Sequence, residues 1–210
     1  MSEPIWVWEP DLKRYRDTAT GRFIGITEMQ DLRNEFIASQ QGLMRDLVRA
    51  YVDTDMSHKA FSDQIKLIIK NTYIDLYAMG IGGRNNMTQA DWGSIGGMLK
   101  EQYQYLHRLL QQIEFQQVSP AQIVARLNMY INSANEALWR ALGRDLPLQL
   151  PAYPGDGSTE CLTNCRCEWD IQETEMTYDC FWMLGEAEHC PDCVDRSQRW
   201  APYVMPKGGL

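Results

Sequence analysis

From Thr27 to Gly143, apolar residues return every third or fourth position, the spacing of a helix with one buried face. The first such segment carries Met29, Leu32, Phe36, Leu43, Leu47 and Tyr51, headed by Thr27-x-x-Gln30 in the form of a capping box. A break at 53–56 precedes Ser57, which can cap a second segment bearing Phe61, Ile65, Ile68, Thr72 and Leu76; Gly80, Gly82 and Gly83 stop it. Thr88-x-x-Asp91 opens a third, with Trp92, Ile95, Leu99, Tyr103, Leu106, Leu110 and Ile113 on one face. Ser119 and Pro120, a cap followed by proline at the first helical position, open a fourth that carries Ile123, Leu127, Tyr130, Ile131, Ala134 and Leu138 and ends at Gly143. The pattern predicts four amphipathic helices with short connections, packed as an antiparallel bundle. Gly96 and Gly97 interrupt the third helix, and close approach of a neighbouring backbone is the expected reason.

The pattern changes at both ends. Before residue 27, "RYRDTATGRFIG" reads as two short extended pieces around a turn at Thr20–Gly21. It is expected to form an arm lying on its own domain, with Arg14, Arg16, Arg22, Tyr15 and Phe23 as a second, docking reading and Trp6 and Trp8 as exposed aromatics. After Gly143, "LPLQLPAYPGDGST" ends the helical register with its prolines and glycines and is expected to be an outer loop that mediates contacts. "CRCEWDI" and "YDCFWML" then suggest short strands, and "VDRSQRW" one or two turns of helix. The division expected is an extended arm over 1–26, a helical domain over 27–145 and a cysteine-rich module over 146–210. The fold class is mainly α, a helical bundle with a small cysteine-rich C-terminal module of short strands.

Composition narrows the function. The chain has 210 residues, 44% of them hydrophobic, with a formal net charge of −8. Eleven acidic and four basic residues follow position 150, so about seven of the negative charges lie in the module and the first 150 residues are nearly neutral. No basic stripe with interleaved aromatics is present, which disfavours nucleic acid as a partner. No run of about eighteen apolar residues exists, which disfavours a membrane span. The opening residues lack a cationic start followed by an apolar stretch, so folding in a cytoplasm is expected.

All six cysteines fall between 161 and 193. Cys190-x-x-Cys193 is a pair that a tight turn aims in one direction, and Cys161, Cys165 and Cys167 offer a second pair with one sulfur to spare. Two such pairs can supply the four soft donors of a structural zinc site. A disulfide clasp from Cys161 to the later pair, or free buried thiols, would also use the pattern. A reducing cytoplasm leans the reading toward zinc, with Cys161, Cys165, Cys167, Cys190 and Cys193 as candidate ligands. His189 is a reserve ligand, and Cys180 fits no pair and is expected in the core. A C-x-x-C next to acidic residues lacks the positive field that activates a redox thiol. No G-x-S-x-G, P-loop, H-E-x-x-H or G-x-G-x-x-G occurs, His58 and His107 lie in helical patterns, and no carboxylate pair stands out, so an enzyme is not expected.

With those residues in view, "LPAYPGDGSTECLTNCRCEW" after a helical region resembles the C-terminal part of tailed-phage minor head (head morphogenesis) proteins of the phage Mu type. The specific likeness is the N-C-R-C element, Asn164–Cys167. "YRDTATGRFI" and "WMLGEAEHCPDC" with "RSQRWAPY" look like phage structural proteins encoded near portal genes. In the better-known family the C-x-x-C pair tends to precede the C-R-C element; here it follows. The resemblance implies a low-copy virion component near the portal vertex, assembled in the host cytoplasm. Its implied partners are portal and capsid proteins, with a homo-oligomer in the particle as a further option. The alternative is a small zinc-binding module of a phage or host regulator that contacts protein or nucleic acid.

Overall fold

A computed structural model describes residues 6–9, 14–17, 20–24, 26–145, 148–185 and 188–207; the side chains at 6–9, 14, 24, 26–30, 145 and 164 are outside that description. Five helices make the bundle: α1 (Ile26–Asp53), α2 (His58–Gly80), α3 (Gln89–Glu114), α4 (Pro120–Ser133) and α5 (Asn135–Asp145). The mainly helical fold expected from the periodicity is the one observed. The difference is at Ala134, where the expected fourth helix divides. Ala134 and Ala137 are fully buried there and Ser133 bonds back to the Tyr130 carbonyl, so the chain turns within the core instead of running straight through it.

The expected caps of α2, α3 and α4 are formed. Ser57 accepts from the Ala60 N–H, and Thr88–Asp91 and Ser119–Gln122 are complete capping boxes. Residues 27–30 fall where side chains are not described, so the Thr27 cap lies outside the described residues. The deep face of α1 is Ile37, Gln40, Met44 and Val48; Leu43, expected inward, is 45% exposed because it sits a quarter-turn from that line. Helix α2 is the centre of the bundle: its second half, from Thr72 to Gly80, is buried on nearly every side. It touches α1, α3, α4 and α5, the last most extensively. At the closest crossing, a Cβ on Gly80 would lie 2.6 Å from Ala141 Cβ and 2.8 Å from the Leu138 carbonyl oxygen. Gly80 is therefore the glycine that lets two helices meet. Gly96 and Gly97 have no atom within 4 Å of such a Cβ, which corrects the expectation of a close neighbour there.

Asp91 ties three elements together. Its carboxylate accepts from Thr88, from Tyr77 Oη of α2 at 2.8 Å and from Arg144 of α5 at 2.6 Å, while only 2% exposed. Burial opposes its ionisation, yet these hydrogen bonds outweigh burial and hold the carboxyl below its ordinary value. The N-terminal arm forms a small antiparallel sheet in the order β1 (Trp6–Glu9), β2 (Arg14–Asp17), β3 (Phe23–Ile24). Tyr15 sits in the bundle core at 5% exposure and donates to the Gly80 carbonyl at 3.3 Å. The arm is thus seated on its own domain, but Tyr15, read as a possible docking residue of a solvated arm, is instead part of that domain's core; the Trp6 and Trp8 side chains lie outside the described residues.

Past α5, a second core forms around Trp139, Leu148, Leu150, Ala152, Trp169, Trp182 and the buried cysteines. The segment expected to be an outer loop is therefore partly a wall of this core: Leu148, Leu150 and Ala152 are each 7% exposed. Prolines and glycines fixed its backbone shape but did not place it outside. A three-stranded antiparallel sheet, β4 (Glu168–Glu173), β5 (Thr177–Met183) and β6 (Tyr203–Pro206), packs against α6 (Pro191–Arg199) through β5. Trp169 stands opposite Trp182 in register, their rings 5.2 Å apart edge to face, and Trp200 stacks on Trp169 at 5.4 Å. Trp139 comes from α5, and Arg33 of α1 pairs with Glu168 at 2.7 Å, so bundle and module share a seam. No helix among the described residues is long and apolar enough to cross a membrane.

Candidate metal centre

The cysteines converge because two short segments are zipped side by side. One runs from Thr159 through a 3-10 turn at Leu162–Asn164 to the start of β4; the other is the first turn of α6. Leu162 adopts φ 51°, unusual for a residue with a Cβ, in the turn between Cys161 and Cys165, whose sulfurs lie within 4.8 Å of each other. Cys190 stands at the N-terminal boundary of α6 without a side-chain capping bond, Pro191 takes its first position and needs no N–H donor there, and the Cys193 N–H donates to the Cys190 carbonyl at 3.0 Å. Cross-links hold the segments in place: the Glu160 N–H donates to Asp192 at 2.8 Å, and Arg196 donates to the Ser158 carbonyl at 2.9 Å. Arg196 is itself held over the Trp182 and Trp200 rings at 5.2 and 5.4 Å. Gly185 presses against the backbone beside the cluster, where a Cβ would lie 2.4 Å from the Arg166 carbonyl oxygen.

The sulfurs of Cys161, Cys165 and Cys193 lie within 4.8 Å of one another and form a cluster that can hold a metal ion. Cys161 and Cys193 are 3.7 Å apart, Cys165 and Cys193 3.5 Å, and Cys190 lies 3.6 Å from Cys161. A tetrahedral thiolate site with metal–sulfur bonds of about 2.3 Å has sulfur–sulfur edges of about 3.8 Å. A disulfide needs about 2.05 Å. All six cysteines are free, and the three separations given above are close to the edge of a coordination tetrahedron. Cys167 is buried and lies outside the mutual cluster of sulfurs. Thr159, 5% exposed, places its hydroxyl 3.1 Å from Cys161 Sγ. His189 is not among the residues whose donor atoms converge, and Cys180 is a fully buried core residue on β5, as expected.

Burial and the neighbouring thiols set the electrostatics of the cluster. The Cys167 thiol and burial together push the Cys165 thiol up, and burial, with the neighbouring Cys190 and Cys165 thiols, pushes Cys193 up. Burial also raises Cys161. Cys190 differs: burial acts to raise it, but the Cys193 N–H in the first turn of α6 and the Cys161 N–H on the facing segment outweigh that and bring it down. A divalent cation among these sulfurs reverses the repulsion and favours the thiolates. Cys180 lies outside this network, and burial with Asp179 and Asp170 nearby pushes it up to about 11.

Of the five expected ligands, the structure brings Cys161, Cys165 and Cys193 into one mutual cluster, sets Cys190 against Cys161, and leaves Cys167 at its edge. Asp192, Arg196 and Gly185 were not singled out from the sequence, since each acts across more than twenty residues or through a backbone contact; Thr159 was also missed, although it lies only two residues from Cys161. The Cys-Pro-Asp-Cys spacing carried one hint: Asp192 sits between the two cysteines. No family model, no curated protein and no solved structure matches the chain.

Proposed function

We propose that Cys161, Cys165, Cys190 and Cys193 hold one structural zinc ion, and that the protein is a non-enzymatic assembly component of a tailed-phage head. The observation that carries the metal reading is the convergence of sulfurs at 3.5–3.7 Å from two segments already zipped by protein hydrogen bonds. A set of four thiolates fills a tetrahedral ion and leaves no position for water, so the site supports folding rather than hydrolysis. Zinc, when bound, would offset two of the four thiolate charges and hold the sulfurs in their deprotonated form. The residues' own part is to fix spacing: Pro191 and the Cys190 carbonyl shape one pair, and the Leu162 turn shapes the other. Cys167 stands beside the set as the spare sulfur. The head-component reading is supported by the N-C-R-C element, whose two cysteines are Cys165 in the cluster and Cys167 at its edge, and by a bundle that carries no catalytic motif.

Two measurements test the two halves. Cobalt(II) loaded in place of zinc should give the visible absorption of a tetrahedral thiolate site, and Cys193→Ser should lose it; a spectrum without that absorption rejects the metal site. In lysates of a phage-producing host, the chain should co-sediment with particles on a density gradient. A chain that remains with free protein rejects the head assignment without touching the metal assignment.

A further inference from the structure

A groove of about 760 Å³ lies between α2 and α3. Gly96, Leu99 and Tyr103 line it, and Lys70, Lys100 and His107, all exposed, stand around it with no acidic side chain among the lining residues. The groove is positive on a chain whose net charge is −8. Gly96 opens into it: nothing lies within 4 Å of the position a Cβ would take. A glycine in a helix interior weakens the helix, and here no contact within the chain requires it.

A feature of opposite character stands on the module. The turn between β4 and β5 is closed by the Thr174 N–H donating to the Thr177 carbonyl at 2.9 Å. At its tip Met176 is 73% exposed, the most exposed large apolar side chain among the described residues. Glu175 beside it is exposed, and Glu173 is engaged by Lys207 at 2.6 Å. A flexible apolar side chain next to a carboxylate fits a groove with an apolar floor and a cationic rim. Methionine sulfur also packs well against an aromatic ring such as Tyr103.

We propose that the β4–β5 tip of one copy seats in the α2–α3 groove of a second copy, with Met176 over Leu99 and Tyr103 and Glu175 facing Lys100 and Lys70. The contact joins two different surfaces, so it propagates head to tail and yields a ring or a filament. An apolar floor suits a side chain better than a phosphate backbone, which favours a protein occupant over nucleic acid. The proposal stands on the groove and the tip and does not rest on the head assignment.

Sedimentation velocity of the full, metal-replete chain over a concentration series tests it. Association should grow with concentration and weaken with added salt. Glu175→Lys and Lys100→Glu should each weaken it about tenfold or more, and Met176→Asp should abolish it. The double variant carrying Glu175→Lys and Lys100→Glu should recover association, because the reversed pair restores one opposite-charge contact between tip and groove. All three positions are exposed, and far-UV circular dichroism checks that the variants keep the fold. A chain that stays monomeric at every concentration overturns the proposal, including where the groove instead binds an acidic peptide or an oligonucleotide. Association unchanged by the single charge reversals, or weakened by them without recovery in the double variant, overturns it equally.

Discussion

Replacing Gly80 and Gly96 by alanine should move stability in opposite directions. Both are helical glycines, and alanine is favoured over glycine in a helix interior by about 1 kcal/mol. At Gly96 nothing lies within 4 Å of the new methyl, so the helix gain stands alone and the expected effect is about +1 kcal/mol. At Gly80 the methyl would meet Ala141 Cβ at 2.6 Å and the Leu138 carbonyl oxygen at 2.8 Å. Ordinary contact is about 1 Å longer. The Leu138 oxygen is backbone, so relief requires α5 to move away from α2, along the most extensive helix contact in the bundle. Overpacking of this kind costs about 1–3 kcal/mol, and the upper end applies because a rigid element must shift. Set against a helix gain of at most about 1 kcal/mol, Gly80→Ala should destabilise by about 2 kcal/mol. For a chain of this size that is a fall in Tm of about 4–8 °C, against a rise of about 2–4 °C for Gly96→Ala. Thermal melts followed by far-UV circular dichroism decide it, with metal concentration held constant because a bound ion shifts apparent stability. A Gly80→Ala protein as stable as the parent would refute the close crossing of α2 and α5.

Two further outcomes follow from buried groups. Trp139, 6% exposed on α5, is a wall of the module's core, so Trp139→Ala should cost about 3–5 kcal/mol and increase protease cutting in residues 148–207 before the bundle is cut. Unchanged cutting there would show that the seam contributes little. Asp91→Asn should cost about 2 kcal/mol at neutral pH by weakening its bonds to Arg144, Thr88 and Tyr77. The folded Asp91 carboxyl is held below its ordinary value, so its contribution is complete above about pH 3.9 and is lost as pH falls through the lower folded value. Denaturation midpoints of parent and variant should therefore converge only in that acid range; a gap that persists there would contradict the assigned charge state.

The bundle was legible because its signals are local. Caps at Ser57, Thr88 and Ser119 sit three residues from the groups they bond, and apolar spacing marks each buried face. The break at Ala134 was not, because alanine continues a helix as readily as it permits a turn, and burial of Ala134 and Ala137 is a tertiary fact. The roles of the glycines were reversed for the same reason. Gly80 reads as a stop signal and Gly96 as a packing notch, yet only contacts distant in sequence distinguish them. Leu148 and Leu150 were hidden by the prolines and glycines around them, which report backbone shape and not depth. In the candidate site, cysteine spacing identified the two segments that meet. The sulfurs that converge, and the Asp192 and Arg196 bonds that align them, depend on how the segments dock, which spacing does not encode.

The central claim, that the thiols gather around one metal ion, is tested most directly by elemental analysis of the full chain purified under reducing conditions, paired with its intact mass before and after reduction. About one equivalent of zinc per chain, released by Cys193→Ser with loosening of the module while the bundle stays helical, is the predicted result. Less than about a tenth of an equivalent of any metal, with an unreduced mass two hydrogens light for each bridge, would contradict it and establish disulfides among the same cysteines.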